Sequence, residues 1–248
     1  MSSKSNNQSM AFEYACIIKL ENRIKNYRPV NIDFVSVEAA KRAWNIQNEN
    51  QKQLFLQAAD AFINTLFEAE LLILEYDDKD DIVTFAINKD SDAEGGDVRD
   101  IIIFRNSISW NIGLSMKHNH FAAKHSRLYR TIDFGNKWYN LPCNIFYWND
   151  ITPIFDNLKL LKEKKIAWRD VQNKEQDVYV PLLVAFITEL SRAYKTDSTI
   201  PKKLISYLLG ICDFYKVVAV DKKRIIEFQP FNLRGELNKN GKKLKLHF

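Results

Sequence analysis

The sequence predicts an α/β fold, more closely α+β, in which a mixed central sheet is flanked by helices. Three observations carry this. A 26-residue stretch, 50–75, repeats apolar residues at helical spacing: Leu54, Ala58, Phe62 and Leu66, widened by Phe55, Ala59 and Ile63. Short β-favouring apolar runs at 82–88, 101–104 and 109–116 follow it, broken by polar turn residues. Further helical and hairpin signals occupy 150–235. At 248 residues, with 46% hydrophobic residues and only 7 glycines and 6 prolines, the chain supports one sizeable core, read as one domain with subdomains.

In order, residues 1–10 are polar and read as a disordered tail without a signal-peptide core. Residues 11–25 form a first helix, ended before Pro29, and 35–48 a second, with Val37, Ala40 and Trp44 on one stripe. The 50–75 helix carries Glu68, Glu70 and Glu75 near its end. After an acidic turn at 77–81 comes the strand 82–88, then a polar loop to Gly96. Ile101–Phe104 is a strand, Asn106 and Ser107 break it, and Ser109–Met116 resumes with Trp110, Ile112, Leu114 and Met116 alternating.

A hairpin over these strands brings their outer ends together. Asp97 and Asp100 stand at the start of the first strand, and Lys117 at the end of the second. A two-residue loop at Asn106–Ser107 pairs Arg105 with Ile108. That parity puts Asp100 on the face of Ser115 and Lys117 and leaves Asp97 on the other parity. Asp100 is therefore the first candidate for holding a metal and Asp97 the second.

Past Lys117, Asn119 is read as a helix N-cap and 119–130 as a basic helix. His120, Lys124 and Arg127 fall at i, i+4 and i+7. With His118, Asn119 and Arg130 they are the candidate DNA contacts, phosphates being met by basic side chains; a solvated basic face explains the same pattern. His118, Asn119 and His120 are not an HNH nuclease motif, whose residues are dispersed rather than consecutive. Zinc ligation by His118, His120 and His125 is disfavoured, because no cysteine is near and the last two lie on different stripes.

Residues 132–148 read as strands and loops around Gly135 and Pro142. Helices are expected at 154–165, at 177–194 with Pro181 in the first turn, and at 199–209 stopped by Gly210. Residues 217–220 and 224–228 form a hairpin about Asp221-Lys222-Lys223, and 236–248 is a basic tail.

The charge of +5 and pI near 8.9 are a mild basic bias compatible with nucleic acid. Three scattered cysteines imply neither a disulfide framework nor a zinc site and suit a reducing cytoplasm. No apolar run approaches the ~20 residues of a membrane span.

An acidic residue at one strand start and an x-x-Lys element on the next strand resemble the PD-(D/E)xK nuclease core. The wording GDVRDIII, WNIGLSMKHNH, KHSRL and IDFGNKWYNLPC, with VYVPLLVAFITEL and IPKKLISYLLG, resembles type II restriction endonucleases of the HaeIII family over roughly 50–235. One departure is Ser115, where the core usually carries Glu or Asp. The resemblance implies a prokaryotic cytoplasmic enzyme that cuts both strands of double-stranded DNA at GGCC with Mg²⁺, as a homodimer, within a core motif at 95–130. Asp100 would hold the ion, helped by Asp97, Glu70 or Glu68. Lys117 would orient the attacking water, and Ser115 would assist it. The rival reading, prompted by Ser115, is a DNA-binding protein that has lost catalysis. The family also runs longer at its C-terminus, so a terminal segment is expected to be missing here.

Overall fold

The computed structural model describes residues 4–76, 80–88, 97–119, 121, 128–238 and 244–248. The chain divides into two compact units: Met1–Ala123 with Gly210–Phe248, and Lys124–Leu209.

The first unit is a sheet backed by three helices. Its described elements are α1 (Lys4–Ile24), β1 (Val30–Ile32), α2 (Phe34–Asn45), α3 (Glu49–Ala69), β2 (Val83–Ile87), β3 (Ile101–Arg105), β4 (Trp110–His118), β5 (Phe214–Val220), β6 (Ile225–Phe231) and β7 (Leu244–His247). Spatial order follows chain order from β1 to β7. Pairs β1/β2 and β4/β5 are parallel, and the other neighbours antiparallel. The sheet is thus mixed, flanked by helices, as the sequence predicts.

Strand alternation sorts the sheet into two faces. Ile101 and Ile103 of β3, Ile112, Leu114 and Met116 of β4, Tyr215, Val217 and Ala219 of β5, and Ile226 and Phe228 of β6 form one core with α1–α3. Asp33 and Asn48 cap α2 and α3 by accepting from the backbone N–H groups of Val35 and Gln51. The other face carries Asp100, Asn111, Gly113, Ser115, Lys117 and Lys216.

Several expectations change. Helix α1 begins at Lys4, so residues 4–10 are helical rather than a frayed tail. Ala11, Phe12, Ala15 and Cys16 anchor it from within. Strands β1 and β7 were not expected. The first has three residues, too few to show alternation, and the second lies in the basic tail. The β3–β4 turn has four residues rather than two: Asn106–Ile108 form a single 3-10 turn, Ser109 takes a left-handed φ of 52°, and Arg105 faces Trp110. Two extra residues preserve parity, so the face assignment of Asp100 is unaffected. The β5–β6 hairpin repeats the device, with Asp221–Lys223 followed by Arg224 at φ 49°.

A buried cluster ties the β3–β4 turn to the rest of the unit. Asp81 receives both Arg28 and Arg105, whose side chains are 0% and 2% exposed, and the Ser107 hydroxyl. Both guanidinium groups also donate to the Leu72 carbonyl.

The second unit is helical: α4 (Phe134–Tyr139), α5 (Ile145–Glu163), α6 (Val180–Thr196) and α7 (Ile200–Leu209). Residues 145–148 open α5, capped by Asn144, instead of forming strands, and Pro153 lies inside that helix. Their aromatic richness suggested β-structure, yet Tyr147 and Ile151 sit at i and i+4 in a helical core with Phe134, Tyr139 and Ala185. A π-helical turn, Glu175–Tyr179, precedes α6 and its Pro181. Among the described residues, no helix is long and apolar enough to cross a membrane.

Candidate active site

The β3–β4 register sets Asp100 beside Ser115, one residue beyond the last formal pair, Ile101 with Leu114. The Asp100 N–H donates to the Leu114 carbonyl at 2.8 Å, which fixes its backbone at the strand start. Three donors converge on its Oδ2: the Met116 N–H at 2.6 Å, Lys117 Nζ at 2.8 Å and the Ser115 hydroxyl at 3.3 Å. None of these contacts uses Oδ1. Ser115 is fully buried, while the Asp100 and Lys117 side chains are 29% and 12% exposed. The result is one carboxylate and one ammonium held together at a partly open edge of the sheet face.

Asp97 does something else. Its carboxylate accepts from the Arg99 N–H, Nε and Nη2, and Arg99 Nη1 reaches Asn111 Oδ1 at 2.7 Å. Burial opposes its charge, but the Arg99 bonds outweigh that and hold the carboxyl below its ordinary range. Arg99 lies flat across the site face because Gly113 has no side chain. A Cβ there would sit 1.9 Å from Arg99 Cδ and 2.8 Å from its Cβ.

The two glutamates proposed as metal ligands are not brought to Asp100. Glu70 is fully buried and accepts from the Tyr215 hydroxyl at 2.6 Å and from the backbone and side chain of Asn238. Tyr215 belongs to the face packed on α1–α3, opposite Asp100. Glu68 is exposed on α3, the helix on that same opposite side. Helical spacing placed the glutamates near the end of α3, where Glu68 lies in the last turn and Glu70 is the C-cap, but did not show which sheet face that helix covers.

Two of the DNA candidates are also redirected. His118 is 9% exposed, sits edge-on to Phe55 with centroids 5.1 Å apart, and bonds Asp221 Oδ2 through Nε2 at 2.7 Å. Strand β4 runs one residue beyond Lys117, which turns His118 into the core. Asn119 has a left-handed φ of 58°, and its Oδ1 accepts from the Asp221 N–H at 3.0 Å. Its side chain braces the β5–β6 turn rather than starting a helix. Arg130 pairs with Asp156 in the helical unit and is half exposed. His120, Lys124 and Arg127 lie outside the described residues, as does most of the 119–130 stretch expected to be a helix.

Lys216 was missed. It follows Ser115 across the β4–β5 pair, on the same face, and is 8% exposed. The signal was present: a lysine interrupts the apolar run Phe214–Val220, and a central strand buried on both faces otherwise reads as continuously hydrophobic.

Among the described residues, no group of three or more His, Cys, Asp or Glu forms a metal cluster. The donor set suits a hard divalent cation all the same. Asp100 offers an oxygen that no described residue engages, and Mg²⁺ is commonly held by one or two carboxylates with substrate phosphate oxygens completing its shell.

The family model described as HaeIII restriction endonuclease matches residues 9–246. The chain is 42% identical over 247 residues to the type II restriction enzyme HaeIII of Haemophilus aegyptius, covering 99% of this chain and 77% of that protein. No solved structure matches. With a strand-start carboxylate and a lysine meeting across one hairpin, and a family match over nearly its whole length, the chain belongs to the HaeIII restriction endonuclease family.

Proposed function

We propose that this restriction endonuclease hydrolyses phosphodiester bonds of double-stranded DNA at GGCC, with Mg²⁺ held by Asp100. The observation that carries the reading is the Asp100–Lys117 contact on one sheet face, at 2.8 Å. GGCC is the site that the resemblance to the HaeIII family implies, and membership of that family is what supports it.

Each side chain has a distinct task. Asp100 would hold the cation, its Oδ1 being the oxygen that no described residue engages, and its Oδ2 keeps Lys117 in place. Lys117 points its ammonium at the attacking water and at the phosphoryl oxygens, where negative charge grows as phosphorus becomes pentacoordinate. Ser115, bonded to Asp100, fixes the carboxylate's rotation without adding charge. Asp97 holds Arg99 across Gly113. The cation, when bound, would neutralise phosphate charge and make water a better nucleophile. Lys124, Arg127, His120 and Arg130 are proposed phosphate contacts. Two copies of the chain, one per strand of a palindrome, are the proposed assembly.

Plasmid DNA incubated with the purified protein, with and without Mg²⁺, tests this directly when the ends are sequenced. Double-strand breaks within GGCC, only with Mg²⁺, are expected. Tight DNA binding without any cleavage would instead identify a protein that has lost catalysis, for which the uncharged Ser115 is the motive.

A further inference from the structure

The face that carries Asp100, Ser115 and Lys117 continues onto β5, where the register sets Lys216 directly beside Ser115. Adjacent strands are ~4.8 Å apart, so the two side chains leave neighbouring points of one surface. Lysine is almost never buried to 8% exposure unless its ammonium is paired. Here Nζ donates to the backbone carbonyl of Phe121 and lies 5.9 Å from the centroid of the Phe231 ring.

Phe121 is only four residues past Lys117. Strand β4 ends at His118, and the Asn119 N–H still bonds the Ala219 carbonyl at 2.8 Å while its φ turns left-handed. The Phe121 carbonyl in turn meets an ammonium rooted opposite Ser115. Phe121 thus borders the site face, and Lys216 is its tether. Ser115 bears on this as well. An acid there, directly opposite on the next strand, would draw the ammonium into a cross-strand ion pair and away from Phe121. A serine offers no such charge.

We propose that Lys216 is a positioning residue for strand cleavage: by pinning the Phe121 carbonyl beside the Asp100–Lys117 face, it fixes the wall against which the scissile phosphate is seated. The proposal rests on the endonuclease reading of that face. Loss of the tether lets the phosphate settle in several poses, few of them in line for attack, and misplacement of that kind lowers rate more than affinity.

The test compares wild type, Lys216→Met and Lys216→Arg in single-turnover cleavage at saturating duplex. DNA affinity without divalent ions, the thermal midpoint, and hydrogen exchange of the peptide covering 117–121 are measured alongside. For the methionine variant, cleavage about 10- to 100-fold slower is expected, with DNA affinity and thermal midpoint close to wild type and faster exchange beyond Lys117. The arginine variant, which keeps charge and donors, should recover much of the rate. Should the methionine variant fail to fold, Lys216→Gln carries the same comparison. An unchanged cleavage rate overturns the proposal. So does an affinity loss as large as the rate loss, which would make Lys216 a direct DNA contact. So does a lowered thermal midpoint with an unchanged rate per folded molecule. Lys117→Ala serves as the control: if it cuts like wild type, the active-site reading of that face fails and takes the tether with it, and if wild type does not cut, the endonuclease reading itself fails. A wild-type-like Lys216→Met beside a dead Lys117→Ala removes the tether alone.

Discussion

Lys117 Nζ and Asp100 Oδ2 stand 2.8 Å apart across the β3–β4 ladder, one at the exit of its strand and the other at the entrance of its neighbour. The pair forms because the four-residue turn keeps the parity that sets both side chains on the face away from α1–α3. Each charged group is held by the backbone of a central strand, so neither depends on a loop for its position.

Lys117→Ala should abolish cleavage while leaving folding and DNA binding nearly intact. In the proposed mechanism the ammonium acts on charge that develops in the transition state, so its removal falls on rate rather than on binding. Single-turnover cleavage and a gel-shift titration of the same preparation check this. Cutting at the wild-type rate would remove Lys117 from the mechanism.

Asp100→Asn and Asp97→Asn should differ. Asparagine at 100 keeps the shape but loses the charge that is proposed to hold the cation and that pairs with Lys117, so Mg²⁺-dependent cleavage should disappear. Asparagine at 97 weakens the grip on Arg99, yet leaves Asp100, Ser115 and Lys117 in place, so a measurable part of the activity should survive. Equal loss in both variants would show that the Asp97–Arg99 pair reaches the reacting phosphate.

The hairpin was legible in the sequence because strand alternation needs only parity: Ile101, Ile103, Ile112, Leu114 and Met116 declare one face, and Asp100, Ser115 and Lys117 fall on the other. Turn length was not legible, since Ser109 at φ 52° adopts a conformation that its residue type does not announce. Pairings between distant segments were equally hidden. Nothing near Glu70 in the chain points to Tyr215 and Asn238, and nothing near His118 points to Asp221. Short elements such as β1 lack the repeats that reveal a strand, and in Ile145–Trp148 the aromatic content masked a helical stripe.

His118→Ala should destabilise the fold and leave the DNA-binding contribution of this position near zero. Its ring packs on Phe55 and bonds Asp221, whose carboxyl is opposed by burial but held below its ordinary range by the His118 bond and charge. Removal leaves that partly buried carboxylate short of a partner, at a cost of about 1–3 kcal/mol. Denaturant unfolding measures the loss. A variant of unchanged stability with weakened DNA affinity would return His118 to the DNA-contacting set.

Asp81 should contribute to the acid stability of the first unit. The Arg105 bond, and then those of Ser107 and Arg28, hold its carboxyl well below the usual carboxylate range, against a burial effect that alone would raise it. A carboxyl depressed in the folded state binds its proton more readily once unfolded, so stability falls as pH falls. The contribution is complete above the unfolded value of about 4 and is lost progressively below it, down through the lower folded-state value. Asp81→Asn removes that charge at every pH and leaves Arg28 and Arg105 buried without their shared anion. Breaking a buried pair in this way costs about 3–5 kcal/mol. The variant should therefore be much less stable than wild type at pH 7, and the gap should narrow as pH drops from 4 toward 2. Urea unfolding of both proteins across that range measures it. A gap that stays constant with pH would mean that Asp81 is held by the hydrogen bonds of its shape and not by its charge.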